Sequence, residues 1–352
     1  MECSAERTAA HIPQNLRMTT SECAVDLPCA ASGHLTMRGW QPLEDRPPEK
    51  VCAPLAPGCR RPCGAYMLYL KLAAGLLVSS AFLQPILPKD NITWVESMTL
   101  ADPKADEQLA VAQARGWPAL TVLRHPVHRL VAQFFATVEE ADGHSLAKWI
   151  ARHSAKPPRR GNDGLTRLWI ELDNAYTKIF SAYHGRADHG AVGRAALEKA
   201  KATLAARFDH VLVAEWLAAP LTVAALGDRL CFRHERGRVT GALPDLRSSR
   251  RQRRGRDGRA HEAYRAASYA NASWWRAMRP ALAGLAERNA LDIELYEWAS
   301  AHSRRALEEH WRARYAGERA PELPPLPCTR EPGSYCWDET GPPIDAAVAI
   351  RA

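Results

Sequence analysis

Apolar positions at helical spacing mark one segment of the chain with particular clarity. Val127, Leu130, Val131, Phe134, Phe135 and Val138 fall at i, i+3, i+4, i+7, i+8 and i+11, which is one face of a helix. Just ahead, Leu120-Thr-Val-Leu123 is a short apolar run that suits a buried strand. Arg124-His-Pro126 ends that strand, because proline cannot continue a central ladder. Pro126 then falls in the first turn of the helix, where its missing N–H does no harm. A second helix is predicted from about Gly164 to Ala182, with Leu165, Leu168, Trp169, Leu172, Tyr176, Ile179 and Phe180 on one face. Residues 191–206 read as an Ala/Lys helix, Phe208 to Ala214 as a buried strand, and Trp216 to Leu226 as a further helix. Two helices close the pattern, Asn271 to Glu287 and Leu291 to about Tyr315. Asp292 caps or opens the latter, with Ile293, Tyr296, Ala299 and Ser300 turned inward. This alternation predicts an α/β layer architecture around a largely parallel sheet.

Elsewhere the pattern is weaker. Residues 38–65 are rich in Pro, Arg and Cys, have no periodicity, and read as a loop or insertion. Tyr66 to Leu87 is the most apolar stretch, but Lys71, Gln84, Pro85 and two serines make it a poor membrane span. It reads as buried core or a hydrophobic hairpin. No apolar run follows Met1, so no signal peptide is expected there, although a chain begun at Met67 would open like one. Arg247 to Arg259 holds seven arginines in thirteen residues and no apolar residue, the mark of a solvated loop. The tail after Ala320 is Pro-rich and reads as irregular, and no internal repeat is present.

Composition sharpens the picture. With 352 residues, 46% hydrophobic and 24% charged, the chain is neither disordered throughout, collagen-like nor a polytopic membrane protein. The net charge of +8 is carried by 38 arginines against 9 lysines. Arginine pairs bidentately with phosphate and sulfate, so a polyanionic partner fits; a GC-rich genome produces the same bias. Of nine cysteines, six lie in the first 63 residues, and no CxxC occurs. Cys328 and Cys336 are spaced to close a small loop in an oxidising compartment, which the sequons at Asn91 and Asn271 also fit. His125 and His128 are three apart, but no further ligand supports a metal site, and none is expected.

Chemistry concentrates in the strand–turn–helix unit. A strand ending in Arg124, followed by a helix start with its N–H groups exposed, makes an anion site, with Arg124 adding a bidentate fork. Arg129, one turn on, faces either the ligand or a carboxylate, and both arginines are equally able to serve as partners for acidic neighbours. The segment LRHPVHRLVAQF (123–134) resembles the 3′-phosphate motif of PAPS-dependent sulfotransferases, LRDPVERxxSxF in the carbohydrate-modifying members. His125, His128 and Ala132 stand where that pattern has Asp, Glu and Ser. Downstream, LDNAYTKIFS (172–181) resembles the family's DNxxTRxLSG, FDHVLVAE (208–215) its FxxVGLTE, and NALDIELY (289–296) its closing NxLDxxLYxxA. The resemblance covers roughly residues 118–305, in the family's order.

The other half of such a site is a 5′-phosphosulfate loop, HIPKTGGTS or HIPKNAGTT, in which backbone amides and a lysine hold the phosphosulfate. HIPQNLRMTT (11–20) resembles it in degenerate form. Gln14 replaces the lysine, Asn15, Thr19 and Thr20 are retained, and Arg17 offers an alternative charge. SGHLTM (32–37) resembles the GHL segment of glycan 2-O- and 3-O-sulfotransferases, where a histidine serves in some members as the base; His34 is the corresponding residue, and a surface loop histidine is the plain alternative.

The resemblance implies a three-layer α/β sandwich like that of the P-loop nucleoside-triphosphate hydrolases. It implies sulfuryl transfer from the co-substrate PAPS to a hydroxyl of a carbohydrate, acidic polysaccharide or glycoprotein, in the Golgi and without a metal. Arg124 and Ala132 would lie at the 3′-phosphate, Asn15, Arg17, Thr19 and Thr20 at the 5′-phosphosulfate, with Gln14 and His34 at the reacting centre. The organisation expected is a degenerate loop region at 1–37, a loop-rich insertion at 38–117, a core at 118–318 and a tail at 319–352. Gln14 and Ala132 leave room for a weakened or inactive relative that only binds an anion or glycan. The arginine run leaves room for a polyanion- or nucleic-acid-binding protein, though no nucleic-acid fold accompanies it.

Overall fold

The computed structural model describes residues 34–36, 39–41, 65–69, 92–96, 103–137, 146–154, 172–182, 192–217, 219–230, 234–235, 238–239 and 272–326. The 11–20 segment, the arginine run at 247–259, all nine cysteines, both sequon asparagines and residues 164–171 lie outside them.

The chain is mixed α/β. Its sheet is small and wholly parallel, with strands β3 (Ala65–Tyr69), β4 (Ile92–Glu96), β5 (Ala119–Leu123) and β6 (His210–Val213) in the order β4-β3-β5-β6. An antiparallel hairpin of β1 (His34–Thr36) and β2 (Gly39–Gln41) precedes it, with β1 running alongside β4. Another short hairpin, β7 (His234–Glu235) and β8 (Arg238–Val239), follows it. Helices carry the rest: α1 (Pro103–Ala114), α2 (Pro126–Thr137), α3 (Leu146–Ser154), α4 (Ala175–Phe180), α5 (Arg194–Arg207), α6 (Pro220–Leu230), α7 (Ala272–Arg288) and α8 (Ala290–Arg314).

Residues 65–68 and 119–123 are buried without alternation, as strands of a parallel sheet covered on both faces must be. The Tyr66, Leu68, Ala119, Leu123, Val211 and Val213 face packs with apolar residues of α1, α4, α5 and α8. A second cluster joins α2, α3, α7 and the start of α8 through Val127, Leu130, Phe134, Trp149, Leu285 and Ile293. Strand starts are pinned by side chains and turns. Asp209 takes the Ala119 N–H at 2.8 Å and returns its own N–H to the Ala119 carbonyl at 2.9 Å, and the Tyr66 N–H reaches the Pro118 carbonyl at 3.0 Å.

The strand at 119–123, the helix from Pro126, the strand at 210–213 and the two closing helices stand where the pattern put them. Two readings need correction, and a third is decided between its alternatives. Leu172 to Asn174 is a turn, so helix α4 begins at Ala175 rather than near Gly164; Asn174 there is left-handed, φ 46°, which ends any helix reaching it from upstream. The helix expected from Trp216 starts instead at Pro220, after a 3₁₀ turn over Ala214–Trp216. Proline suits that first turn, and the residue before a proline is pushed out of the helical region. The apolar run from Tyr66 was open between buried core and a hairpin; its first residues are buried core, an inner strand paired in parallel with both β4 and β5.

Candidate functional site

The carboxyl ends of β5 and β6 define the site. In open parallel sheets ligands bind beyond this edge, where chain turns and helix starts meet. Arg124 and His125 leave β5 here, Pro126 opens α2, and Glu215 leaves β6 on the 3₁₀ turn. The first helical bond of α2 runs from the Arg129 N–H to the His125 carbonyl at 2.9 Å. The amides of Val127 and His128 therefore precede the ladder, at the positive end of the helix.

The turn itself is held from two other elements. The Arg124 N–H donates to the Tyr176 hydroxyl at 3.1 Å, and the His125 N–H donates to Glu215 Oε1 at 3.1 Å. Arg124 is 4% exposed. Its guanidinium lies close enough to Glu215 to pull the carboxyl pKa down, although burial outweighs that pull and leaves the group above the ordinary carboxylate range. His125 is buried edge-on to Tyr296, ring centroids 5.3 Å apart, and beside His128 at 5.1 Å. Burial, helped by the charge of Arg124, pushes His125 down to about 3, and burial likewise takes His128 well below its usual value. Both rings are neutral at pH 7, so Arg124 supplies the positive side-chain charge in this turn.

Arg129, one turn along α2, is engaged inside the protein. It is fully buried, donates to Gln133 Oε1 at 3.1 Å and lies 5.7 Å from the centroid of the Tyr176 ring, with Asp292 near enough to feel its charge. Its side chain thus bonds Gln133, and the carboxylate within range of its charge, Asp292, is internal rather than on the surface.

Behind the turn, the two motif segments LDNAYT and NALD lock together. Asp292 was expected to cap its own helix. Its carboxylate instead caps α4, accepting the Tyr176 N–H at 2.8 Å, the Thr177 N–H at 2.7 Å and the Thr177 hydroxyl at 2.8 Å. In return Asn174 Oδ1 accepts the Asp292 N–H at 3.1 Å, which caps α8. Asn289 completes the exchange. Its Oδ1 takes the Asn174 N–H at 3.1 Å, and its Nδ2 donates to the Leu172 and Leu285 carbonyls at 3.0 and 2.8 Å. Each helix start is thus satisfied by the other, and Tyr176 is held under Arg124.

Of the residues singled out from sequence, Arg124 stands at the sheet edge. Ala132 lies well along α2, 6% exposed, with no polar group to offer a phosphate. His34 is on β1, beside β4; β4 and β5 are separated by β3, a lateral offset of about 10 Å. Gln14, Asn15, Arg17, Thr19 and Thr20 lie outside the described residues. Glu215 and Tyr176 were not singled out, yet both sit inside quoted motif segments; a carboxylate following a buried strand was the available signal. No group of three or more His, Cys, Asp or Glu able to hold a metal occurs among the described residues, and no described helix is long and apolar enough to cross a membrane.

No family model matches the chain, and neither curated proteins nor solved structures give a match.

Proposed function

We propose that this protein is a PAPS-dependent sulfotransferase acting on a carbohydrate hydroxyl, with a three-layer fold of the P-loop hydrolase type. One observation carries the reading: Arg124 and the start of α2 meet at the carboxyl edge of an all-parallel sheet, held there by Tyr176 and Glu215. That arrangement has the chemistry of a phosphate cradle. In this reading Arg124 and the first amides of α2 hold the 3′-phosphate of the nucleotide. Asn15, Arg17, Thr19 and Thr20 hold the 5′-phosphosulfate, with Gln14 at the position of the usual lysine. His34 takes the proton of the acceptor hydroxyl as its oxygen bonds to sulfur, and the bond from sulfur to the phosphate oxygen breaks. Adenosine 3′,5′-bisphosphate leaves. No metal takes part, and by the resemblance the reaction belongs to the Golgi lumen or membrane.

Ala132 favours a second reading. Where the resembling pattern has a serine, this chain has a buried methyl group, and loss of one hydrogen bond to a charged partner costs about 1.5–3 kcal/mol. Together with Gln14 this describes a weakened relative that binds the nucleotide or glycan and turns over slowly, if at all. Thermal shift with adenosine 3′,5′-bisphosphate tests the cradle. Stabilisation in the native chain, absent in Arg124→Ala and partly kept in Arg124→Lys, is the expected outcome; no shift in the native chain overturns the first reading and the nucleotide-binding form of the second. Sulfate transfer from radiolabelled PAPS to a glycan panel then separates an active from an inactive member. Removal of a charge aimed at developing negative charge costs about a hundred- to a thousandfold in rate, so Gln14→Lys should raise any activity substantially. A polyanion interaction lost only on deleting 247–259 would instead identify a basic binding protein.

A further inference from the structure

The geometry points to Glu215 as a positioning residue for the anion turn, a buried carboxylate that fixes the backbone between β5 and α2 and stands as counter-charge to Arg124. This rests on the reading of that turn as a phosphate site. At a parallel sheet's edge the backbone amides after the last ladder bond need other acceptors. Here two consecutive ones are satisfied by side chains, Arg124 N–H by Tyr176 and His125 N–H by Glu215. The bond to Glu215 sets where α2 begins, because His125 also supplies the first helical carbonyl of α2.

Glu215 is itself clamped. The Tyr296 hydroxyl of α8 lies beside its carboxylate. Its neighbour Trp216 donates Nε1–H to the Pro324 carbonyl at 2.8 Å, and the Arg304 guanidinium lies 5.4 Å from the centroid of the Trp216 ring. Leu323 and Leu326 pack on the same core, so the irregular segment after α8 holds the 3₁₀ turn from outside. Apart from the Tyr296 hydroxyl, no described residue offers a hydrogen bond to Oε2 of Glu215, which is buried. So sparse a bonding of a buried carboxylate is costly. A counter-charge that yields Arg124 to an arriving phosphate explains it. Glutamine at 215 keeps the acceptor and removes the competing charge, whereas alanine removes both.

Two measurements on the full chain test this: amide exchange over residues 124–128 without ligand, and the dissociation constant for adenosine 3′,5′-bisphosphate. Loss of one such hydrogen bond corresponds to about a tenfold change. Glu215→Ala should speed exchange at His125 by about that factor, leave residues 65–69 unchanged, and weaken binding similarly. Glu215→Gln should keep native exchange and bind the bisphosphate more tightly. Wild-type exchange and affinity in Glu215→Ala, or exchange that rises uniformly over the sheet with affinity unchanged, overturns the proposal. Should Glu215→Ala not fold, weaker binding by Glu215→Gln overturns it. If the native chain binds no bisphosphate, the phosphate reading falls, and exchange at residues 124–128 alone decides whether Glu215 positions the turn.

Discussion

Asp292 shows how much a single side chain can carry. It accepts three hydrogen bonds from residues more than a hundred positions away in sequence while sitting fully buried in the first turn of α8. Asp292→Ala strands two buried amides and a hydroxyl, and should lower stability by about 2–4 kcal/mol in urea unfolding. Asp292→Asn, which keeps one good acceptor, should lose less. Ala182 works in the opposite direction. It ends α4 with φ 52°, a left-handed conformation that costs a residue with a Cβ about 1–2 kcal/mol. Part of that is returned by the greater freedom of an unfolded glycine, so Ala182→Gly should raise the free energy of unfolding by up to about 1 kcal/mol, read as a higher unfolding midpoint. A midpoint unchanged or lowered in Ala182→Gly would show that this turn is not left-handed in solution.

At the scale of elements, α4 is only six residues long, and a helix so short does not persist alone in water. All six are buried, and both its first turn and that of α8 depend on the Asn174–Asn289–Asp292 exchange. The two helix starts should therefore open together. Asn174→Ala removes the cap on α8 and the bond from Nδ2 to the Arg288 carbonyl at 2.9 Å, and places a Cβ without a polar tip at a left-handed residue. Native-state amide exchange should quicken in 175–178 and 290–293 by the same factor, about tenfold or more, with α5 unaffected. Asn174→Gly tolerates the backbone and should do less damage. The length of α4 also explains why its upstream boundary was misread from sequence. Leu165, Leu168, Trp169 and Leu172 continue the apolar spacing of Tyr176, Ile179 and Phe180, and spacing alone cannot register the left-handed turn at Asn174 that interrupts it.

Across the described part of the molecule, buried His125 and His128 and half-buried His210 set the response to acid. His125 is held down at about 3 and His210 at about 4, and His128 is lower than usual, in each case chiefly by burial. Unfolded, each takes up a proton near pH 6.5. The unfolded chain thus binds more protons between about 6.5 and the folded values, and stability present above 6.5 is lost as pH falls through that window. Each histidine contributes a slope of up to about 1.4 kcal/mol per pH unit. Glu215 and Asp292, raised by burial, act with the opposite sign and offset part of it. Denaturant midpoints should consequently begin to fall near pH 6.5, before the carboxylate range, and the fall should be shallower in His210→Val; identical slopes would show that His210 does not stay neutral on folding. The broad outline of this molecule was written locally. Strand β5 and helix α2, the strand at 210–213 and the closing helices announce themselves by apolar spacing and proline placement, because near neighbours decide those signals. Strand β3 did not, since a strand buried on both faces shows no alternation and reads like any apolar run. The support of Arg124 by Tyr176 and Glu215, the exchange of caps between α4 and α8, and the neutrality of His125 were decided by the tertiary structure alone. Hydrogen bonds and desolvation depend on which groups meet in space, and here the partners lie some fifty to more than a hundred residues apart.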